Sequence, residues 1–109
     1  MMHAFDVLGD PVRRRVLELL SVEDMSSGAI VDVVSSEFGI SQPGVSQHLK
    51  ILRDNGFANV TIDGARRVYA LHTSGLEEID MWLAPFRNFW TPKFEALATE
   101  VARGKRKRQ

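Results

Sequence analysis

The chain contains no cysteine, which excludes disulfides, thiolate nucleophiles, thiol redox switches and thiolate metal sites together. Histidine is scarce, with only His3, His48 and His72, thin material for a nitrogen-rich metal centre. No uninterrupted apolar run approaches the ~18 residues of a membrane span, and Met1-Met2-His3-Ala4 lacks a basic region followed by an apolar one. The expectation is a soluble, cytoplasmic chain that makes no membrane contact. A glycine-rich phosphate loop and a nucleophile paired with a base are also missing, so the chain reads as a non-enzyme without cofactor or metal. Net charge is missing too: 14 Lys and Arg balance 14 Asp and Glu, and the total points to no polyanionic partner.

What is present suits a single compact fold. The chain has 109 residues, 44% of them hydrophobic, including six Phe and two Trp. That is too apolar for intrinsic disorder and too short for separate catalytic and cofactor domains. The chain divides into a domain over residues 1–102 and a disordered basic tail over 103–109. The tail serves either as a solubilising end or as a source of nonspecific DNA affinity.

Helix punctuation is frequent. Ala4, Phe5 and Leu8 at helical spacing predict a short first helix closed by Gly9. Asp10-Pro11 starts a second, in which Val12, Val16, Leu17, Leu19 and Leu20 form an apolar stripe ending near Ser21. Ser26 or Ser27 caps a third, with Ile30, Val33, Val34 and Phe38 on one face before Gly39. Ser41 caps a fourth, since Pro43 is tolerated only in a first turn and Val45, Leu49 and Leu52 repeat at helical spacing. A link of only Phe38-Gly39-Ile40-Ser41 between two such helices is the helix-turn-helix arrangement.

After Asn55-Gly56 the pattern changes. Asp63-Gly64 lies between Phe57, Val60 and Ile62 on one side and Val68, Tyr69 and Leu71 on the other, predicting a hairpin. Thr73 or Ser74 caps a final helical region, and Ser74-Gly75-Leu76-Glu77 matches a capping box. Pro85 is expected to kink that region, and Thr91-Pro92 to break it and begin a last helix. The predicted fold is mainly α with a small β-hairpin, in the order α-α-α-α-β-β-α-α: a winged helix-turn-helix.

On a helical wheel, Leu49 and Leu52 fall to either side of Val45 on one face, Ser46 and Lys50 fall on a flank of that face, and Gln47 falls nearly opposite it. One side of the fourth helix is apolar and the other short and polar. Gln pairs with an adenine edge, Ser reaches base or phosphate, and Lys reaches phosphate or guanine, as a helix in a major groove requires. Gln42 in the first turn adds a base or phosphate contact. In an isolated amphipathic helix such a face is merely solvated, but the preceding helix and following hairpin favour the DNA reading. Arg66 and Arg67, beyond the hairpin turn, either touch phosphate or a minor groove or protect an edge strand by charge. His48, on the other flank of the apolar face, either packs or contacts DNA, and His3 is a solvated terminal residue. Arg13-Arg14-Arg15 cover about 200° of a helix and cannot share one face. They are expected to pair with acids such as Asp10 and Glu18, or to lend at most one member to phosphate.

Three segments in order, Asp10-Pro11-Val12-Arg13-Arg14-Arg15-Val16-Leu17-Glu18-Leu19-Leu20, Ile40-Ser41-Gln42-Pro43-Gly44-Val45-Ser46-Gln47-His48-Leu49-Lys50-Ile51-Leu52-Arg53 and Gly64-Ala65-Arg66-Arg67-Val68-Tyr69, resemble the ArsR/SmtB family of bacterial winged helix-turn-helix repressors. The likeness covers residues 4 to about 90. Trp82 to Trp90 looks like the branch that includes autorepressors without a metal site. The resemblance implies a homodimer on an inverted-repeat, double-stranded DNA operator, held by the helix over 41–54 and the wing over 57–71. The candidate DNA-binding set is Ser41, Gln42, Pro43, Ser46, Gln47, His48, Lys50, Arg66 and Arg67. Metal-sensing relatives place Cys in the third helix or paired Asp and His ligands on the terminal helix. Here Ile30 to Val34 lacks Cys, and Glu77, Glu78 and Asp80 follow His72 without a second His. Trp82, Phe86, Phe89, Trp90 and Phe94 exceed the aromatic surface that so small a monomer buries easily. With Phe5 and Leu8 of the first helix, they form the dimer interface the family implies. A ligand pocket among the aromatics is the lesser option, and no inducer is assigned. The second functional reading is a protein-interaction module that uses these aromatic helices, against which Gln42, Gln47, Lys50, Arg66 and Arg67 speak.

The zero net charge is then a cancellation. Residues 1–40 carry 3 basic and 7 acidic groups, 41–72 carry 4 and 2, 73–102 carry 2 and 5, and the tail adds five basic ones. The expected DNA-reading segment and the tail are basic and the rest is acidic, so the balance never argued against DNA.

Overall fold

The computed structural model describes residues 2–90. The elements run α1 (Ala4–Leu8), α2 (Pro11–Val22), β1 (Met25–Ser26), α3 (Ser27–Phe38), α4 (Gln42–Asp54), β2 (Ala58–Asp63), β3 (Arg66–Leu71) and α5 (Ser74–Leu83), followed by a 3-10 helix over Ala84–Phe89. This is the expected mainly α winged helix-turn-helix with one addition, β1. The chain falls into two compact units, residues 1–79 and 80–109. Phe94, the last predicted helix and the basic tail lie outside the described residues.

Side-chain caps set the helix starts. Asp10 accepts the N–H of Val12 at 2.8 Å and of Arg13 at 3.3 Å, with Pro11 behind it in the first turn. Of the two candidate caps for α3, Ser26 serves, accepting the Ala29 N–H at 3.2 Å. Ser41 caps α4 through the Gly44 N–H at 3.3 Å. Gly39 ends α3 in the left-handed region at φ 66°, where a side chain would be strained, and its N–H reaches the Ser35 carbonyl. These caps fix the short turn that sets α4 on α3.

His3 is exposed, as expected, yet it has a task. Its Nδ1 accepts the Phe5 N–H while the Asp6 carboxylate accepts the His3 N–H, a reciprocal cap on α1. The core joins Val7 of α1, Val12, Val16, Leu17 and Leu20 of α2, Ile30 and Val34 of α3, and Val45, Leu49 and Leu52 of α4 to Phe57, Ala58 and Tyr69 of the wing. Leu76 and Ile79 in the first part of α5 pack against it.

The sheet has the order β1-β3-β2, antiparallel throughout. Asp63 pairs with Arg66, so Gly64 and Ala65 form a two-residue loop, one residue beyond the Asp-Gly pair that signalled it. Only Gly64 takes a positive φ, 62°, the type II′ pattern that matches strand twist. β1 pairs Met25 with Tyr69 and Ser26 with Val68. Two residues display no alternation, so this strand left no periodic trace.

The start of α5 departs from expectation. Glu77 donates its N–H to the Thr73 carbonyl, and Ser74 Oγ turns to the Gly56 carbonyl at 3.1 Å and His72 Nδ1 at 2.9 Å. The Ser74–Glu77 capping box therefore does not form, because Ser74 is already the first helical residue and the Glu77 N–H is taken by the Thr73 carbonyl, while the Ser74 hydroxyl ties α5 to the end of α4. Pro85 does more than kink: the α-helix stops at Leu83 and the chain tightens into a 3-10 helix. There Arg87 bonds the carbonyl and carboxylate of Asp80.

Candidate nucleic-acid interface

α4 presents two faces. Val45, Leu49 and Leu52 are at most 1% exposed, which puts that side of the helix against the core and turns Gln42, Pro43, Ser46, Gln47 and Lys50 outward. Ser41 is also exposed, with its hydroxyl engaged as the cap. The short side chains leave the backbone close to whatever lies against this face, a requirement for a helix seated in a major groove.

The wing supplies the second element. Arg66 and Arg67 are exposed on β3 just past the loop. An open cleft of about 510 Å³ brings Pro43, Ser46, Gln47 and Lys50 of α4 together with Arg67 of β3. A smaller one of about 270 Å³ joins Gln42 and Ser46 to Ser27, Gly28 and Asp32 of α3. Arg66 makes an exposed 3.5 Å pair with Asp63, worth little in water and easily exchanged for phosphate. Among the described residues, Lys50 and Arg67 have no ion-pair partner. Two cations without countercharge beside amide and hydroxyl groups suit a surface that meets phosphates and base edges.

The cleft also contains residues that the sequence pattern did not assign to it. Arg53, one turn beyond Lys50, falls beside Ser46 on the same wheel and lines the cleft with Ser27 and Tyr69. The wheel carried the signal for Arg53. The approach of Ser27 to α4 depends on the α3–α4 turn and had none.

His48 points elsewhere. It is half-buried, and its Nδ1 lies 3.2 Å from Arg13 Nη1 on α2. The arginine triplet spreads in three directions. Arg13 is buried, Arg14 donates to the Leu8 carbonyl at 2.6 Å, and Arg15 grips both oxygens of Glu37 at 2.8 and 2.9 Å. Glu18, one of the acids expected to pair with the triplet, lies 3.6 Å from Arg15 Nη1 but is secondary to Glu37. Asp10 spends its carboxylate on the α2 cap. Among the described residues, no cluster of His, Asp or Glu is placed to hold a metal ion.

In the first unit, Phe5 is exposed and Leu8 half-buried. In the second, Trp82, Phe86, Phe89 and Trp90 are all exposed, with the Trp82 and Phe86 rings 4.7 Å apart. Among the described residues, no helix is long and apolar enough to cross a membrane.

Known proteins share this arrangement. A family model described as a helix-turn-helix domain matches residues 8–61. The transcriptional repressor SdpR of Bacillus subtilis is 34% identical over 88 residues, spanning 81% of this chain and 93% of SdpR. The crystal structure of an ArsR family transcriptional regulator superposes with a TM-score of 0.67 at 26% identity, over 81% of this chain and 87% of that one. A possible transcriptional regulator for arsenical resistance does so with a TM-score of 0.63 at 27% identity, over 92% and 97%. With the expected segments in order, the wing in place and a repressor matched along nearly its whole length, this chain belongs to the ArsR/SmtB family of winged helix-turn-helix transcriptional repressors.

Proposed function

We propose that the protein represses transcription as a homodimer on an inverted-repeat operator. Each α4 enters one of two successive major grooves about 34 Å apart, one helical turn, with the wings alongside. The observation that carries this reading is the cleft in which Ser46, Gln47 and Lys50 meet Arg67. Gln42 and Gln47 read base edges, Ser41 and Ser46 contact base or phosphate, and Lys50 reaches phosphate or guanine. Pro43 packs against the backbone at the helix entry. Arg66 and Arg67 take the flanking phosphates or minor groove. His48 stands at the flank of this set. The protein works in the cytoplasm, where its DNA is, and as a binding protein rather than an enzyme.

The dimer forms through Phe5 and Leu8 of α1 and the aromatic residues Trp82, Phe86, Phe89, Trp90 and Phe94. Large exposed aromatics at helical spacing are the usual composition of such an interface. Replacing Ser46 and Gln47 together by Ala is expected to weaken specific duplex binding roughly tenfold or more, since each good base contact is worth ~1–3 kcal/mol. The sedimentation mass stays that of the dimer. Unchanged affinity of the double variant contradicts the reading.

A further inference from the structure

Among the described residues, Arg13 is the one charged side chain buried in the core, 8% exposed. Its guanidinium donates in three directions: Nε to the Val7 carbonyl at 2.7 Å, Nη2 to the Asp6 carbonyl at 2.9 Å, and Nη1 to His48 Nδ1 at 3.2 Å. Guanidinium is a donor only. His48 Nδ1 must therefore accept, which places the imidazole proton on Nε2. The two carbonyls belong to the last turn of α1, a five-residue helix with no basic residue in that turn. A helix this short does not persist alone, and its final carbonyls need outside donors. Arg13 supplies them from α2, and the same rigid fork reaches the middle of α4.

We propose that Arg13 is a positioning residue for DNA binding, which through His48 sets the rotation of α4 on α1 and α2 without touching DNA itself. The inference rests on the DNA-binding reading above. Burial of Val45, Leu49 and Leu52 decides which side of α4 faces the core but is not directional, whereas the Arg13–His48 bond is directional and sits on the flank between the packed and polar faces. In the proposed dimer, α1 carries Phe5 and Leu8, so the fork also ties the reading helix to the surface that meets the second protomer. Lys cannot replace it, because one ammonium does not span three acceptors held in a plane.

The test uses the full chain and a duplex enriched from a random pool. His48→Leu keeps the bulk and removes the acceptor, leaving a buried guanidinium N–H unpaired. His48→Asn puts Oδ1 where Nδ1 was. His48→Leu is expected to bind roughly tenfold more weakly, with the dimer mass of the parent and a lowered melting temperature that still leaves it folded under the binding conditions, and His48→Asn to restore binding to within about threefold of the parent. Arg13→Lys should resemble His48→Leu, and the two together should be no worse than either. Long-range proton–nitrogen spectra should show His48 with a bare Nδ1 in the parent and a changed tautomer balance in Arg13→Lys. The proposal is overturned if His48→Leu binds like the parent. It is equally overturned if His48→Asn fails while Arg13→Lys binds normally, because His48 then acts on DNA directly. A protonated Nδ1 in the parent removes the link itself. If no duplex is enriched, the DNA-binding reading fails, and the nitrogen spectra still decide whether the Arg13–His48 bond exists.

Discussion

Gly75 lies flat against the Phe57 ring, so close that a Cβ at residue 75 would fall 2.5 Å from ring carbon Cε2 and 2.6 Å from Cδ2 and Cζ. Phe57 is fully buried at the root of the wing, and the Gly75 N–H donates to the Gly56 carbonyl at 2.9 Å. The start of α5 is thus pressed onto the junction between α4 and β2, which makes glycine a steric requirement there rather than a conformational one.

Gly75→Ala is therefore expected to destabilise the fold by about 1–3 kcal/mol, the usual cost of forcing extra volume into a packed site. Chemical denaturation monitored by tryptophan fluorescence or circular dichroism measures it. A midpoint equal to that of the parent contradicts the contact.

Acid stability follows from two carboxylates. Burial acts to raise the Asp10 carboxyl, but the N–H groups of Val12 and Arg13 and the nearby charge of Arg13 outweigh it and hold the group below its ordinary value. The hydrogen bond from Arg15 lowers Glu37, and the Arg15 charge adds to that effect against the opposing effect of burial. A folded-state value below the unfolded one gives stability that is complete above the unfolded pKa and is lost as pH falls through the folded one. The loss therefore begins below about pH 4.3 and not near neutrality. Asp10→Asn keeps the cap and removes the charge. Combined with Glu37→Gln, it should flatten the acid limb of melting temperature against pH, and an unchanged limb contradicts the assignment.

Arg67 should reveal itself in the salt dependence of binding. If it neutralises one phosphate, Arg67→Ala reduces the slope of log affinity against log salt by about 1 and weakens cognate and unrelated duplexes alike. A slope identical to that of the parent places Arg67 off the DNA.

Much of this molecule was legible in local signals, because the deciding interactions span few residues. Asp10-Pro11, Ser41 with Pro43, and Gly39 act within one turn of themselves, and each set its helix boundary as expected. The polar face of α4 followed from its apolar one, since burying Val45, Leu49 and Leu52 leaves Gln42, Ser46, Gln47 and Lys50 no other direction.

What escaped was tertiary. β1 exists only because Tyr69 and Val68 lie beside it, more than forty residues along the chain. Ser74 and Glu77 had the spacing of a capping box, but the helix began one residue earlier, so the Thr73 carbonyl took the Glu77 N–H and the Ser74 hydroxyl turned to the Gly56 carbonyl. The arginine triplet was expected to pair with acids near it in the chain such as Asp10 and Glu18, whereas Glu37 reached Arg15 across the α2–α3 packing with better geometry than Glu18. Arg13 was expected, like its two neighbours, to pair with an acid or to reach phosphate, and nothing local announced that the end of α1 would enclose it.

Everything proposed for DNA turns on two copies of α4 reading it one helical turn apart. Selection of bound fragments from a pool of random duplexes, followed by sequencing, addresses that arrangement without assuming an operator. The expected result is enrichment of an inverted repeat whose half-sites are centred about 10–10.5 base pairs apart. Failure to enrich any sequence, or enrichment of an isolated half-site with no symmetric partner, would contradict it.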